Sequence, residues 1–139
     1  MDYGVHNNPR ACGASSGTNY VYIQENGDDD DGSAMTAFIE SADFDLGDGE
    51  QFMFIRRLIP DIDITSSDAD ASVNYIVKTR NFPGDSLGTN STSAVKASTQ
   101  QAFLRGRSRQ AALRIESDTT DITWTLGDLR LEMHPDGRR

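Results

Sequence analysis

The chain has 139 residues, a formal net charge of −9, a single cysteine and 36% apolar residues. That length suits one domain, long enough to bury about two-thirds of its unfolded surface; one cysteine excludes an intrachain disulfide. An acidic whole argues against sequence-independent binding to DNA, which needs clustered Lys and Arg to neutralise phosphates.

The charge is unevenly placed. Residues 1–70 hold 15 acidic against 3 basic side chains, and residues 71–139 hold 7 against 10. Such asymmetry suits a meeting of acidic with basic surface, between like copies or between neighbours. Met1 to Arg10 has no apolar h-region, and no run approaches the roughly 18 apolar residues of a membrane span. Neither standard secretion nor membrane insertion is expected.

Taken in order, 1–18 is poor in apolar residues and rich in Asn, Gly, Ser and Pro, so an irregular N-terminal arm is predicted, with one domain over 19–139. Asn19 to Gln24 is a strand of strong β-formers, apolar on both sides, and so either buried on both faces or paired at an interface. Asn26 to Ser33 is an acidic loop with turn chemistry. Met35 to Glu40 alternates as a strand. Phe44 and Leu46 sit in a Gly- and Asp-rich connection and are expected to plug the core. Phe52 to Leu58 is the longest apolar run, which suggests a central strand, and Ile62 and Ile64 continue it inward.

After a turn at Ser66 to Asp70, Ser72 to Arg80 alternates, with Val73, Tyr75 and Val77 on one face. Asn81 to Asp85 carries Pro-Gly, the chemistry of a type II turn. Leu87 to Ala94 reads as a polar, flexible loop. Val95 to Leu104 is ambiguous between strand and short helix, and its place between strands favours strand. Arg105 to Arg107 reads as a turn. The last third is the clearest: Ala111, Leu113 and Ile115, then Ile122, Trp124 and Leu126, then Leu129, Leu131 and Met133 each alternate with polar neighbours. Period-2 alternation marks strands with one buried face. The whole predicts an all-β fold, an antiparallel β-sandwich of about eight strands, with immunoglobulin-like and jelly-roll wiring both open. A chain that stops just after a paired strand is expected to end at a true C-terminus.

Three stretches carry a family resemblance: GDGEQFMFIRRLIPDI (Gly47 to Ile62), VKTRNFPGDS (Val77 to Ser86), and RGRSRQAALRIESD with TWTLGDLRLE and the terminal PDGRR. Together they cover roughly 35–139, and they resemble the C-terminal module of tail-tube or nozzle-type structural proteins of short-tailed double-stranded DNA bacteriophages. The resemblance implies a virion protein of the phage tail, made in the cytoplasm of a host bacterium. It also implies copies arranged in a symmetric, sixfold ring beside other tail proteins. In that family a larger body precedes the module, so this chain is expected to be either a separate small gene product or one part of a split protein.

The chemistry-bearing residues are sparse. Asp28 to Asp31, Asp61 with Asp63, and Asp68 with Asp70 invite calcium, but the EF-hand spacing is absent and a solvated acidic loop is the expectation. His6, His134 and Cys12 lack a framing catalytic motif, so no enzyme activity, metal or cofactor is expected. Asn90-Ser91-Thr92 is a glycosylation sequon, which points to exposure. Trp124 is expected in the core.

Arg105, Arg107 and Arg109 form the one patterned basic cluster, aimed to one side by period-2 spacing. With Arg138 and Arg139 they are the candidate interface, facing acidic surface on a neighbouring chain. The functional expectation is a tail-associated β-module acting through assembly contacts, without specific nucleic-acid binding. The alternative is a host-surface or carbohydrate-binding β-sandwich module on the tail, its ligand held by sandwich loops.

Overall fold

The computed structural model describes residues 12–14, 17, 20–23 and 27–138. Among them every regular element is a strand: β1 (Cys12–Ala14), β2 (Val21–Ile23), β3 (Ala37–Glu40), β4 (Phe44–Asp45), β5 (Met53–Ile59), β6 (Ile62–Thr65), β7 (Val73–Arg80), β8 (Gly88–Val95), β9 (Gly106–Ser108), β10 (Gln110–Ser117), β11 (Thr123–Leu126) and β12 (Arg130–Pro135). The fold is all-β, as the alternation predicts. The strands outnumber the expected eight because β1, β4, β8 and β9 fall in stretches whose composition reads as arm, connection, loop and turn.

Two antiparallel sheets face each other. One has the order β3-β10-β7-β8, with β4 also pairing β10. The other has the order β12-β5-β9 and is prolonged by β11 against β6. These last pairs form one long ribbon, interrupted where Gly127 N donates to Asp61 O at 2.8 Å. Arg109 is the corner of the molecule: β9 on one side of it pairs β5, and β10 on the other side pairs β7. A single stretch of chain therefore stitches the two sheets together. β1 and β2 form a separate two-stranded ribbon.

The core lies between the sheets. Met53, Ile55 and Leu58 of β5 meet Val73, Tyr75 and Val77 of β7, Val95 of β8, and Ala111, Leu113 and Ile115 of β10. Each large apolar side chain removed from water here contributes roughly 1.5–3 kcal/mol. The spacing within β5 is not strictly two. Glu132 pairs Arg57 while Met133 pairs Ile55, which leaves Arg56 as an extra residue. This bulge shifts the phase, so Leu58 turns inward and Arg56 outward.

Local turn chemistry sets the chain reversals. Asp85 N donates to Phe82 O at 3.1 Å, and Gly84 takes a φ of 96°, the third-residue geometry of the expected type II turn. In the acidic loop, Asp30 and Ser33 exchange two backbone hydrogen bonds of 2.9 Å around Asp31 and Gly32, whose φ values are 51° and 83°. Positive φ at both central residues is the hairpin geometry that Asp-Gly favours. A tight turn thus sits on Asp31-Gly32; Asn26, at the start of the predicted loop, lies outside the described residues.

Several expectations are corrected. Leu87 to Ala94 is not a loop: Gly88–Val95 is an edge strand, polar because its outer face is wet and its inward positions hold small Ser91 and Ser93. Val95 to Leu104 is neither helix nor continuous strand. Its Ala102 and Leu104 are buried in a connection that touches β5 through a bridge between Leu58 and Ala102. Arg105 to Arg107 is not a turn, since Gly106 starts β9; a Cβ there would stand 3.2 Å from Val77 Cγ1, so glycine admits the strand at that distance. Tyr20 and Val21 are exposed, and the strand at Val21–Ile23 pairs only β1 among the described strands. Of the predicted arm, Cys12–Ala14 is strand and 1–11, with His6, lies outside the described residues.

Candidate functional site

The arginine corner is built around Phe52. Backbone bonds clip this residue to the C-terminal segment: Phe52 N donates to Gly137 O at 2.8 Å, and Asp136 N donates to Phe52 O at 2.7 Å. Arg107 and Arg109 both lie over its ring, at 4.3 and 4.9 Å from the centroid. A cation over an aromatic face is attractive; the strand does not run through all three arginines, since β9 ends at Ser108 and Arg109 stands at the corner. Arg107 also pairs with the Asp136 carboxylate. Arg109 donates to the carbonyls of Gly49, Glu50 and Arg138 at 3.2–3.3 Å. Arg138 approaches Glu50 at 3.7 Å.

The acceptors of Arg107, Arg109 and Arg138 thus lie in the same chain. Within the chain these contacts fasten the C-terminal segment and the Gly47–Glu50 turn to the sandwich corner. Arg105 is exposed, and Arg139 lies outside the described residues.

A second charged array covers the outer face of the first sheet. Lys78 Nζ donates to Glu40 Oε2 at 2.7 Å, and Arg114 donates to the same oxygen at 3.2 Å and to Glu116 Oε2 at 2.6 Å. Hydrogen bonding from Lys78, with help from Arg114, holds the Glu40 carboxyl below its ordinary range, although desolvation opposes this. Arg80 pairs with Asp43, and Lys96 with Asp70 at 2.6 Å. Apart from Arg114–Glu116, these pairs join an acidic residue of 1–70 to a basic residue of 71–139, so the charge asymmetry is partly neutralised within the fold.

The third feature is the open edge at β3. Met35, Phe38 and Ile39 are each more than half exposed. Beside them lies a groove of about 400 Å³ whose lining includes Asp28, Met35, Phe38, Ile122 and Trp124. Trp124 is not a fully buried core residue as expected. It is half-buried, packs against the core from one side and donates Nε1–H to Ser117 Oγ at 2.9 Å. Arg114 lies over the outer face of Phe38, 3.8 Å from the ring centroid.

The aspartates read as a calcium candidate are used structurally. Asp61 Oδ2 accepts Asp128 N at 3.0 Å, and Asp68 Oδ1 accepts Asp70 N at 2.8 Å. Among the described residues no three acidic, His or Cys side chains gather into a metal-holding group. Asn90 of the sequon is an extra residue on β8, with its side chain bonded to Thr79 Oγ1 at 3.2 Å. Sequence reasoning missed the β3 edge because alternation in Met35 to Glu40 signals a covered inner face, and Ile39 on that face is left uncovered by the second sheet. No protein-family model and no curated protein matches the chain.

Proposed function

We propose that the chain is a structural virion protein of a short-tailed phage, a β-module of the tail that acts through assembly contacts with copies of itself and with neighbouring tail proteins. The observation that carries this reading is where the family-like stretches fall. Gly47 to Ile62 supplies β5 and the turn that receives Arg109. Val77 to Ser86 supplies the end of β7 and its type II turn. The C-terminal stretches supply β9 to β12 and the Asp136 partner of Arg107. The resemblance thus falls on the residues that build the corner, the β12-β5-β9 sheet, and β10 with the end of β7 in the first sheet. Exposed apolar residues on the β3 edge support an assembly role, and Arg105 at the corner remains a candidate contact. Purified particles of the source phage, analysed by quantitative mass spectrometry, test the reading. The chain should be present at a fixed multiple per particle; absence from particles while it is abundant in the infected cell would overturn it.

The groove beside Trp124 favours one second reading, a carbohydrate-binding module on the tail, because an aromatic wall with an acidic residue in the lining suits a sugar ring. A glycan array discriminates: binding that Trp124→Ala abolishes, with the fold retained, would support that reading over a purely structural role.

A further inference from the structure

The first sheet has two edges, β3 and β8, whose outer sides no described strand pairs. From Met35 to Ile39 the β3 side carries Met, Thr, Ala, Phe and Ile, and from Gly88 to Ala94 the β8 side carries Gly, Thr, Asn, Ser, Thr, Ser and Ala. Glu40, which ends β3, is the one charged residue on these two strands, and its carboxylate is paired with Lys78 and Arg114 of its own sheet. Neither strand has a proline, and β8 carries a single bulge at Asn90; charge, proline and bulge are the usual devices that stop a sheet edge from pairing with another chain. The second sheet carries more of these devices: β12 presents Arg130, Glu132 and Pro135.

The pairing register sets the heights of these edges. Glu40, Arg114, Ile76 and Thr92 form one row across the sheet; Ile39, Ile115, Tyr75 and Ser93 form the next; Phe38, Glu116, Asn74 and Ala94 form the third. The two open edges therefore stand at the same level. All three pairings are antiparallel, so β3 and β8 run in opposite directions. A copy rotated about an axis along the strands would bring its β8 antiparallel to β3 with no shift along the axis, which is the condition for a ring to close.

The hydrogen-bonding groups also point the required way. Ser41 N donates to Leu113 O at 2.9 Å. Alternation along an antiparallel ladder then turns the N–H and C=O groups of Ala37 and Ile39 toward β10, and those of Phe38 and Glu40 outward. No described strand pairs that outer side.

We propose that β3 of one copy pairs with β8 of a second copy, continuing the sheet from subunit to subunit in a head-to-tail ring. The exposed Phe38 and Ile39 side chains, on opposite faces of β3, are covered by the strand that docks there. This rests on the reading of the chain as a self-assembling structural protein and adds the surface and the partner.

The test uses the full chain with Cys12→Ser. Sedimentation velocity should show a discrete oligomer. Phe38→Pro removes an outward N–H without touching the β10 ladder, and it should sediment as a monomer with an unchanged far-UV spectrum; Phe38→Lys, which leaves the backbone intact, should do the same. Phe38→Cys with Ala94→Cys should oxidise to a ladder of covalent oligomers, and each single-cysteine variant should not. A parent that stays monomeric, lysine and proline variants that assemble like the parent, or a dimer from Phe38→Cys alone (a two-fold β3–β3 contact) would each overturn the proposal. Particle content separates it from the functional reading. Normal incorporation of Phe38→Pro would remove this contact and leave a virion protein. Rings in vitro from a chain absent from particles would keep the contact and remove the virion.

Discussion

Lys78 reaches across an entire strand to Glu40. The two residues stand on β7 and β3, with β10 between them, and their side chains meet at 2.7 Å. The span is open because Lys78 pairs with Ala112, whose methyl group leaves room for the pair to pass above it. Arg114 joins the same Glu40 oxygen from β10, so one carboxylate ties three strands together on their outer face.

Acid should weaken this tie. The Glu40 carboxyl is lowered chiefly by the Lys78 hydrogen bond, Glu132 by His134 and then Arg57, and Asp121 by Ser67. Carboxyls whose folded pKa is depressed add stability that is present above the unfolded carboxylate range and lost as pH falls through the folded value. Glu40→Gln should therefore cost about 1 kcal/mol at neutral pH, with the difference from the parent shrinking as both are acidified. Chemical denaturation at a series of pH values checks this; a constant difference down to the acid limb would contradict it.

Tyr75 predicts the opposite limb. Its side chain is buried between the sheets, and its hydroxyl has no hydrogen-bond partner among the described residues. Burial, with the negative charge of Asp61, pushes the phenol up to about 12 from 10.0. A raised pKa means the stability is fully present below the unfolded value and is lost as pH climbs from there through the folded one. Tyr75→Phe should remove that alkaline loss. At neutral pH it should lie within about 1 kcal/mol of the parent, since no bond is broken. A large loss at neutral pH would show that the hydroxyl is anchored.

Gly127 is fixed by close approach. A Cβ at this position would lie 2.4 Å from Asp61 Oδ2, and Asp61 is held by its bond to Asp128 N. Gly127→Ala should cost about 1–3 kcal/mol, the range for overpacking. Combined with Asp61→Ala the two effects should be less than additive, because the clashing carboxylate is already gone. Thermal melts of the parent and the three variants give the coupling directly.

Trp124→Ala should cost about 2 kcal/mol, below the roughly 3–5 kcal/mol for a fully buried large aromatic, since one side of the indole faces the groove. A urea titration measures it. A loss above that range would restore Trp124 to the core.

How far the sequence discloses this fold depends on what each strand has to bury. β10 and β11 were legible because Leu113, Ile115, Ile122 and Trp124 alternate with polar residues under one covering sheet. β8 was not, because an edge strand with inward Ser91 and Ser93 has no apolar period to read. Ala102 and Leu104 misled in the other direction: they are apolar because a crossing connection is buried, not because it is periodic. The partners of the arginines were not legible. Arg107 meets Asp136 from 29 positions away and Arg109 meets Gly49 from 60, distances over which only the folded sheets bring groups together. The β3 edge was hidden for a related reason, since alternation reports which face turns inward and not whether anything covers it.

The central claim, that the chain is an assembled component of a phage tail, is tested most directly by a map of the intact particle with the chain located by a labelled antibody fragment. The account predicts label on the tail, at positions repeated around the tail axis. Label confined to the capsid shell, or particles that carry none, would contradict it.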